Sequence, residues 1–333
     1  MKFLHVLFVI TLFLSIISGC KKSGDDSPVT PVPVILPDTL SSGWTKVTVE
    51  PGLTSNQGGD IFFRNSTEGY LSFNNGYTYR SVDGGNTWNR TMNFSASNMA
   101  VTSDNKAFFI NNNFSSIYRT SDGGATITNY PISAINMKDI FFADNNNGLS
   151  STTDGLFNTV NGGNTWTNIA PLTNIGNSSS SIFMFSNSIA WVVYGKKVFH
   201  ANGNFNNWQL DTIATNVTDL GLISVFATSA SVVFTSSFSG YLFKSVNGGV
   251  SFSLIKKFDD VFVSANNRFS DLHFVDANTG YFSTGSRIYK TSDAGNTWSV
   301  IVALGNTNII EIHFTDAAHG WAICFDGTIL KLN

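Results

Sequence analysis

Apolar residues in this chain fall into short alternating runs. GYLSF (69–73), GYFST (280–284) and GWAIC (320–324) are each followed closely by a second run, YTYRS (77–81), RIYKT (287–291) and TILKL (328–332). Alternation with period two marks half-buried strands, and the Gly, Asn and Asp between runs supply the turns. Ahead of the first run stands a Phe, six residues before its Gly: Phe63 and Gly69, Phe142 and Gly148, Phe274 and Gly280, Phe314 and Gly320. Two places after each Phe comes Asn65, Asp144, Asp276 or Asp316.

A glycine-rich octet follows. It reads SVDGGNTW (81–88), TSDGGATI (120–127), TVNGGNTW (159–166), SVNGGVSF (245–252) and TSDAGNTW (291–298), and a worn copy, ANGNFNNW (201–208), fills the one large gap. Successive starts lie 39, 39, 42, 44 and 46 residues apart. At the third place Asp83, Asp122, Asn161, Asn247 and Asp293 carry a short acceptor able to bond N–H groups about two residues on, as in an Asx turn. The fifth-place Gly accepts positive φ without steric cost. Trp88, Ile127, Trp166, Phe252 and Trp298 at the eighth place are large and apolar, and each is expected to plug a core.

One unit is therefore strand, turn, strand, loop, strand, octet, strand. Four short antiparallel strands in about 40–45 residues make the blade of a β-propeller. Units start near Asp60, Asn98, Asp139, Ser181, Asp219, Asp271 and Glu311, which gives seven blades. The seventh stops at TILKLN without its octet, while Gly43, Trp44, Thr45, Lys46 and Val47 match an octet tail and an outer strand. The expected fold is all-β, a seven-bladed β-propeller over residues 44–333 with four-stranded blades. The N-terminal strand closes the last blade, leaving no free edge.

Composition adds a location. Charged residues are 12% of the chain, about half the usual share, so solubility rests on amides and hydroxyls, as in all-β extracytoplasmic proteins. Residues 1–19 open with Lys2 and an apolar run from Phe3 to Ile17, too short to cross a bilayer comfortably, and read as an export signal. They lead into Ile17, Ser18, Gly19 and Cys20, which resemble the lipobox of bacterial lipoproteins. That resemblance implies a lipidated Cys20 as the mature N-terminus. Residues 20–43, holding four of the seven prolines, read as the lipidated cysteine and a Pro-rich tether. Asp25 and Asp26 resemble the signal that sends Bacteroidetes-type lipoproteins to the cell surface. An outer-membrane lipoprotein exposed at the surface is expected, with the periplasmic side as the alternative. Loss of residues 1–19 removes only Lys2 and leaves 18 basic against 22 acidic residues, which argues against a nucleic-acid partner. Cys324 lies in an apolar run without a partner, so no disulfide framework is expected.

The octets match the Asp-box (BNR) pattern S/T-x-D-x-G-x-T-W. The whole unit, F-x-D-x-x-x-G-Y before Y-K-T-S-D-G-G-x-T-W, resembles the photosystem II assembly and stability factor family of seven-bladed propellers, over about residues 44–333. The resemblance implies the fold more than the function. Asp-boxes also occur as peripheral structural turns in sialidases, xyloglucan-degrading hydrolases and sortilin-type receptors. Photosynthetic members are implied to work as assembly chaperones through a basic patch, which this chain lacks, so that role is not carried over.

By resemblance a sialidase needs three convergent arginines. Of the six present, Arg80 and Arg119 share a third-strand repeat position with Lys244, Lys290 and Lys331, away from the channel, and Arg64, Arg90, Arg268 and Arg287 are scattered. A glycosidase needs two carboxyls at a set separation, and the glutamates are only Glu50, Glu68 and Glu311. Asp60, Asp139, Asp271 and Glu311 stand three residues before the Phe of their units, at the start of the innermost strand, where they are expected to ring the channel mouth. His273 and His313 follow two places on. These six are the candidate ligand or cation site; the same pattern arises if each acid merely caps the loop before its strand. Histidines on adjacent blades need not converge, so no metal site is expected. The loops at Asp144 and Asp276 lack the bidentate Glu of a calcium loop and read as tight turns. Tyr77, Tyr241 and Tyr281 read as blade packing, with a sugar platform as the other use. No phosphate loop, nucleophile elbow or zinc pattern appears, and no cofactor is expected. The functional expectation is a monomeric binding or scaffold module for a protein or glycan, anchored to the membrane by lipid alone. Its contact face would carry the channel acids and the loops at 111–116, 195–197 and 237–240. The alternative is a glycan-degrading hydrolase using two of Asp139, Asp219, Asp271 and Glu311.

Overall fold

The computed structural model describes residues 37–50, 59–111, 116–131, 137–153, 155–170, 180–203, 205–213, 217, 221–258 and 270–333. Cys20, Asp219, Arg268 and the centre of the 111–116 loop lie outside the described residues. Blade one is Gly59–Phe63, Gly69–Phe73, Tyr77–Ser81 and Asn89–Met92, paired in that order. The innermost strands of the next six blades are Ala96–Val101, Met137–Phe142, Ser180–Met184, Leu222–Ala227, Ser270–Phe274 and Ile309–Phe314. Each lies beside the next, and the seventh beside the first, so the seven sheets close a ring.

Blade seven takes its outer strand from the other end of the chain. Trp44–Val47 runs antiparallel to Ile329–Leu332, with Trp44 opposite Leu332 and Val47 opposite Ile329. The buried Trp44 meets Phe314 edge-on at 6.0 Å. The sheet also begins before Trp44: Thr39–Leu40, within the segment read as tether, pairs with Val302 and Ala303 on the rim of blade six. Thr212–Ile213 lies parallel to the outer strand of blade five. Both additions cover sheet edges that would otherwise offer unpaired backbone groups.

The octets fold alike, though not through the bond their spacing suggests. In blade one Asp83 accepts the N–H of Thr87, four residues on, at 2.9 Å and the Thr87 hydroxyl at 2.6 Å. Asp122 with Thr126 and Asp293 with Thr297 repeat this. Asn161 and Asn247 accept the same amide and turn their Nδ2 toward the hydroxyl instead. The first-place hydroxyl, which the pattern left without a role, accepts the fifth-place Gly N–H: Ser81 from Gly85 at 2.7 Å and Thr291 from Gly295 at 2.9 Å. At Asp83 burial is the largest single influence and pushes the carboxyl up, but the bonds together outweigh it, and they hold Asp83, Asp122 and Asp293 at about 2. Asp83→Ala should therefore lower Tm by about 2–4 °C, and Asp83→Asn by less than about 1 °C, since two octets already use Asn; thermal unfolding of both variants checks this.

Three eighth-place tryptophans meet the Phe of their own blade edge-on, Trp88 on Phe63 at 5.6 Å, Trp166 on Phe142 at 5.9 Å and Trp298 on Phe274 at 6.2 Å. Ile127 departs from this expectation. It is 37% exposed, because a side chain of its size does not reach inward from the turn. The six-residue spacing from Phe to Gly has a steric cause. The Phe ring lies flat over the Gly, where an added Cβ would come within 2.6 Å of the Phe63 ring and 2.2 Å of the Phe314 ring. Each Phe then stacks on an aromatic of the preceding blade: Phe63 on Trp321 at 3.5 Å, Phe314 on Tyr281 at 3.6 Å, Phe142 on Phe108 at 4.2 Å and Phe274 on Phe234 at 4.6 Å. Tyr281 is fully buried in its stack, which removes it as a sugar platform. Third-strand cations also cross the seams: Arg119 to Gly162 O and Asn164, Lys244 to Ala294 O, and Lys331 to Asn86.

Candidate functional site

Along the axis the innermost strands present the same register position seven times: Asp60, Asn98, Asp139, Ser181, Ser224, Asp271 and Glu311. In blade five this is Ser224 and not the neighbourhood of Asp219, because a bulge between Leu222 and Ser224 shifts the register. Similar bulges precede Asn98, Asp139 and Glu311. Side chains at this position are tied to the neighbouring blade. Asn98 Oδ1 accepts Ile140 N–H at 3.1 Å, Asp139 Oδ2 accepts Ile182 N–H at 2.6 Å, Ser181 Oγ accepts Val225 N–H at 3.4 Å, and Asp271 Oδ2 accepts Ile312 N–H at 3.2 Å. Asp60 accepts Met99 N–H in the same way. Ser224 donates to Asp271 Oδ1 at 3.1 Å, and Glu311 bonds the carboxyl of Asp60. The ring of acids expected at the mouth is thus a circuit of latches between blades.

Burial sets its protonation. It pushes Asp139 up to about 7 and Asp60 and Asp271 up to about 6, opposed by the amides each accepts. Glu311 lies well above the usual carboxyl range, first from burial and then from the charges of Asp60 and Asp271. Asp60 and Glu311 are hydrogen-bonded carboxyl to carboxyl, so the pair holds one proton between them. One oxygen of Asp60, Oδ2, is buried with no hydrogen-bond partner among the described residues.

Two residues further along each strand lies a collar: Phe62, Ala100, Phe141, Phe183, Phe226, His273 and His313. Its rings touch in sequence, Phe141 to Phe183 at 5.2 Å, Phe183 to Phe226 at 4.4 Å, Phe226 to His273 at 5.3 Å, His273 to His313 at 5.1 Å and His313 to Phe62 at 4.5 Å. Ala100 leaves the one notch. The two histidines do converge, but His313 Nε2 bonds Phe63 O at 2.8 Å and His273 bonds the carbonyl of Phe314, again across blade seams. Burial lowers His313 to about 4 and His273 to about 3, so both rings are neutral at ordinary pH. No group of three His, Cys, Asp or Glu side chains fit to hold a metal occurs among the described residues. Aligning the units on His273 and His313 would have found the four phenylalanines, since they share one repeat position.

The collar and the polar ring enclose an axial cavity of about 550 Å³, with Asp139, Asp271 and Glu311 in its lining. Ile223, Ile310 and Phe238 line it near the polar ring. Phe238 comes from the 237–240 loop, where its N–H bonds Gly221 O and its ring lies over that glycine. Three of the arginines are engaged elsewhere. Arg64 and Arg80 both hold Glu68, and Arg90 pairs with Glu50. Asp144 and Asp276 accept their own loop amides at 2.7–2.8 Å, as tight turns do.

No known family profile matches this sequence, and no curated relative does. Solved structures do. YCF48 from Cyanidioschyzon merolae is similar with a TM-score of 0.70 at 19% identity, over 88% of this chain and 99% of that one. YCF48 bound to D1 peptide gives 0.68 at 17%, over 87% and 95%. Virginiamycin B lyase from Staphylococcus aureus, with quinupristin, gives 0.69 at 11%, over 87% and 98%. At these identities the likeness is one of fold, and it agrees with the blade count: the chain is a seven-bladed β-propeller.

Proposed function

We propose that this chain is an envelope lipoprotein anchored through Cys20, whose propeller is a binding or scaffold module for a peptide segment of a protein partner. The observation that carries this reading is the state of the channel acids. Asp139 and Asp271 each hold backbone amides of their own and the next blade on their carboxyl oxygens, and Glu311 bonds the carboxyl of Asp60. A glycosidase needs one free carboxylate and one acid facing a shared substrate, and three of the four acids named for that role are engaged as latches. A propeller of similar build holds a peptide in YCF48, which supports a peptide over a glycan as the partner.

Two measurements test it. Fractionation of cells should find the protein in membranes and Cys20→Ser in the soluble fraction; equal partition of the two removes the anchor. The purified protein, applied to peptide and glycan arrays, should retain a definable class of peptides. Retention should fall at least about tenfold in Phe238→Asp, which puts a charge on the mouth without touching a latch. Release of reducing ends from β-glucans or sialosides would replace this reading with the hydrolase.

A further inference from the structure

The cavity walls are one-sided in their chemistry. Polar groups lining it are the carboxyls of Asp139, Asp271 and Glu311, the amide of Asn98, the hydroxyls of Ser181 and Ser224, and the imidazoles of His273 and His313. Among the described residues no Lys or Arg is in the lining. Lys138, at the register position of Ile223 and Ile310 in blade three, is not part of it and has a partner of its own. Each imidazole donates its proton to a backbone carbonyl, so the other ring nitrogen is an acceptor. The collar adds the faces and edges of four phenylalanines, and aromatic faces attract cations. Parallel to the axis the layers run apolar, acidic and polar, aromatic: Ile223, Ile310 and Phe238, then the polar ring, then the collar. On an extended strand the two rings are about 7 Å apart.

Resting on the binding role above, we propose that the axial cavity is a receptor for a primary ammonium group on an unbranched apolar stem, the side chain of a lysine in the partner peptide. The stem packs on Ile223, Ile310 and Phe238. The ammonium, with three donors to place, sits between the aromatic collar and the ring oxygens of Asp271, Glu311 and Asp139, where Asp139 Oδ2 and Asp271 Oδ2 each give one lone pair to a latch amide and keep the other. An apolar group of the same shape would satisfy none of these carboxyls, and an anionic one would be repelled by them. A guanidinium is broader and fixes five donors in a plane, which a ring of single oxygens at different heights does not match. The raised protonation of the ring gives the event a signature, since a cation favours ionised carboxyls and its entry must expel protons.

The test titrates the purified protein with Nα-acetyl-lysine amide and with Nα-acetyl-norleucine amide, its stem without the ammonium. The resonances of His273 and His313 are followed by NMR, and proton release is read from calorimetry in buffers of different ionisation enthalpy. The lysine amide should shift both histidines saturably, bind at least about tenfold tighter than the norleucine amide, and release protons near pH 7. Asp271→Asn with Glu311→Gln should weaken it about tenfold, and the fold should tolerate the change because Asn98 and two serines already serve at this position. Ala100→Phe, which fills the collar notch and leaves every carboxyl in place, should block it. Equal binding of the two amides, or lysine binding untouched by both variants, overturns the proposal. Retention of peptides without lysine on the array, lost in Phe238→Asp, would keep the binding role and reject this site.

Discussion

Trp321→Ala should cost about 3–5 kcal/mol and lower Tm by on the order of 10 °C. Trp321 is fully buried on the second strand of blade seven. It stacks on Phe63 of blade one at 3.5 Å with planes 3° apart, and its indole N–H bonds Gly84 O at 3.0 Å. It therefore joins the packing of one blade to the octet of the next at the seam where the ring closes. Truncation leaves a void that the flat Phe63 ring, already pressed on Gly69, cannot collapse into. Trp321→Phe separates the two contributions: the stack survives, the hydrogen bond is lost, and the cost should fall to about 1–2 kcal/mol. A drop under about 2 °C for the alanine variant, in thermal unfolding by circular dichroism, would mean that this seam is not a main support of the ring.

The second large effect is a stability that rises on mild acidification. Asp60, Asp139, Asp271 and Glu311 have folded values above their ordinary ones. Their contribution is fully present below about pH 4, where the unfolded chain is protonated too; for the three aspartates it is lost as pH rises through about 6 to 7, and for Glu311 it persists to higher pH. His273 and His313 act in the opposite sense. Their folded values lie below the ordinary 6.5, so the unfolded chain takes up two protons that the folded one refuses as pH falls toward about 4. Between pH 8 and pH 5 the folded state still holds more protons, since four acids outweigh two imidazoles, and stability climbs as pH falls. Below about pH 4 the Asp-box carboxylates Asp83, Asp122 and Asp293, depressed to about 2, reverse the slope. Tm should gain several degrees from pH 8 to pH 5, peak near pH 4 to 5, and then fall. Asp139→Asn should flatten the limb between pH 6 and pH 8. A Tm that rises steadily from pH 5 to pH 8 would show that these acids are ionised and content.

The architecture was legible because each repeat element answers a local steric demand. The Phe and Gly must be six apart for the ring to cover the glycine, and Asp83 needs a partner hydroxyl at Thr87, so both spacings recur in the sequence. The ring position was half legible. Asp60, Asp139, Asp271 and Glu311 stood out as charged, while Asn98, Ser181 and Ser224 do the same work with side chains too ordinary to notice. What the acids do could not be read, because their partners, such as Ile182 N–H for Asp139, are main-chain groups more than 40 residues away that carry no side-chain signal. The collar was missed for a related reason: a Phe on an inner strand looks like core, and only the ring places it on the axis. Ile127 shows the converse error, since apolar size alone does not say which way a turn points.

The pairing of Trp44–Val47 with Ile329–Leu332 spans almost the whole ring, with Thr45 and Lys331 286 residues apart in the chain. That contact is worth nothing until everything between has been made, because the entropy of closing so long a loop must be met before its bonds repay it. Six blades can form in order as they emerge, whereas the seventh waits with Trp44 exposed to whatever else is sticky nearby. Folding should therefore show a slow final phase, and a circular permutant cut after blade seven's outer strand, with each blade contiguous, should lose that phase while keeping the same equilibrium fold.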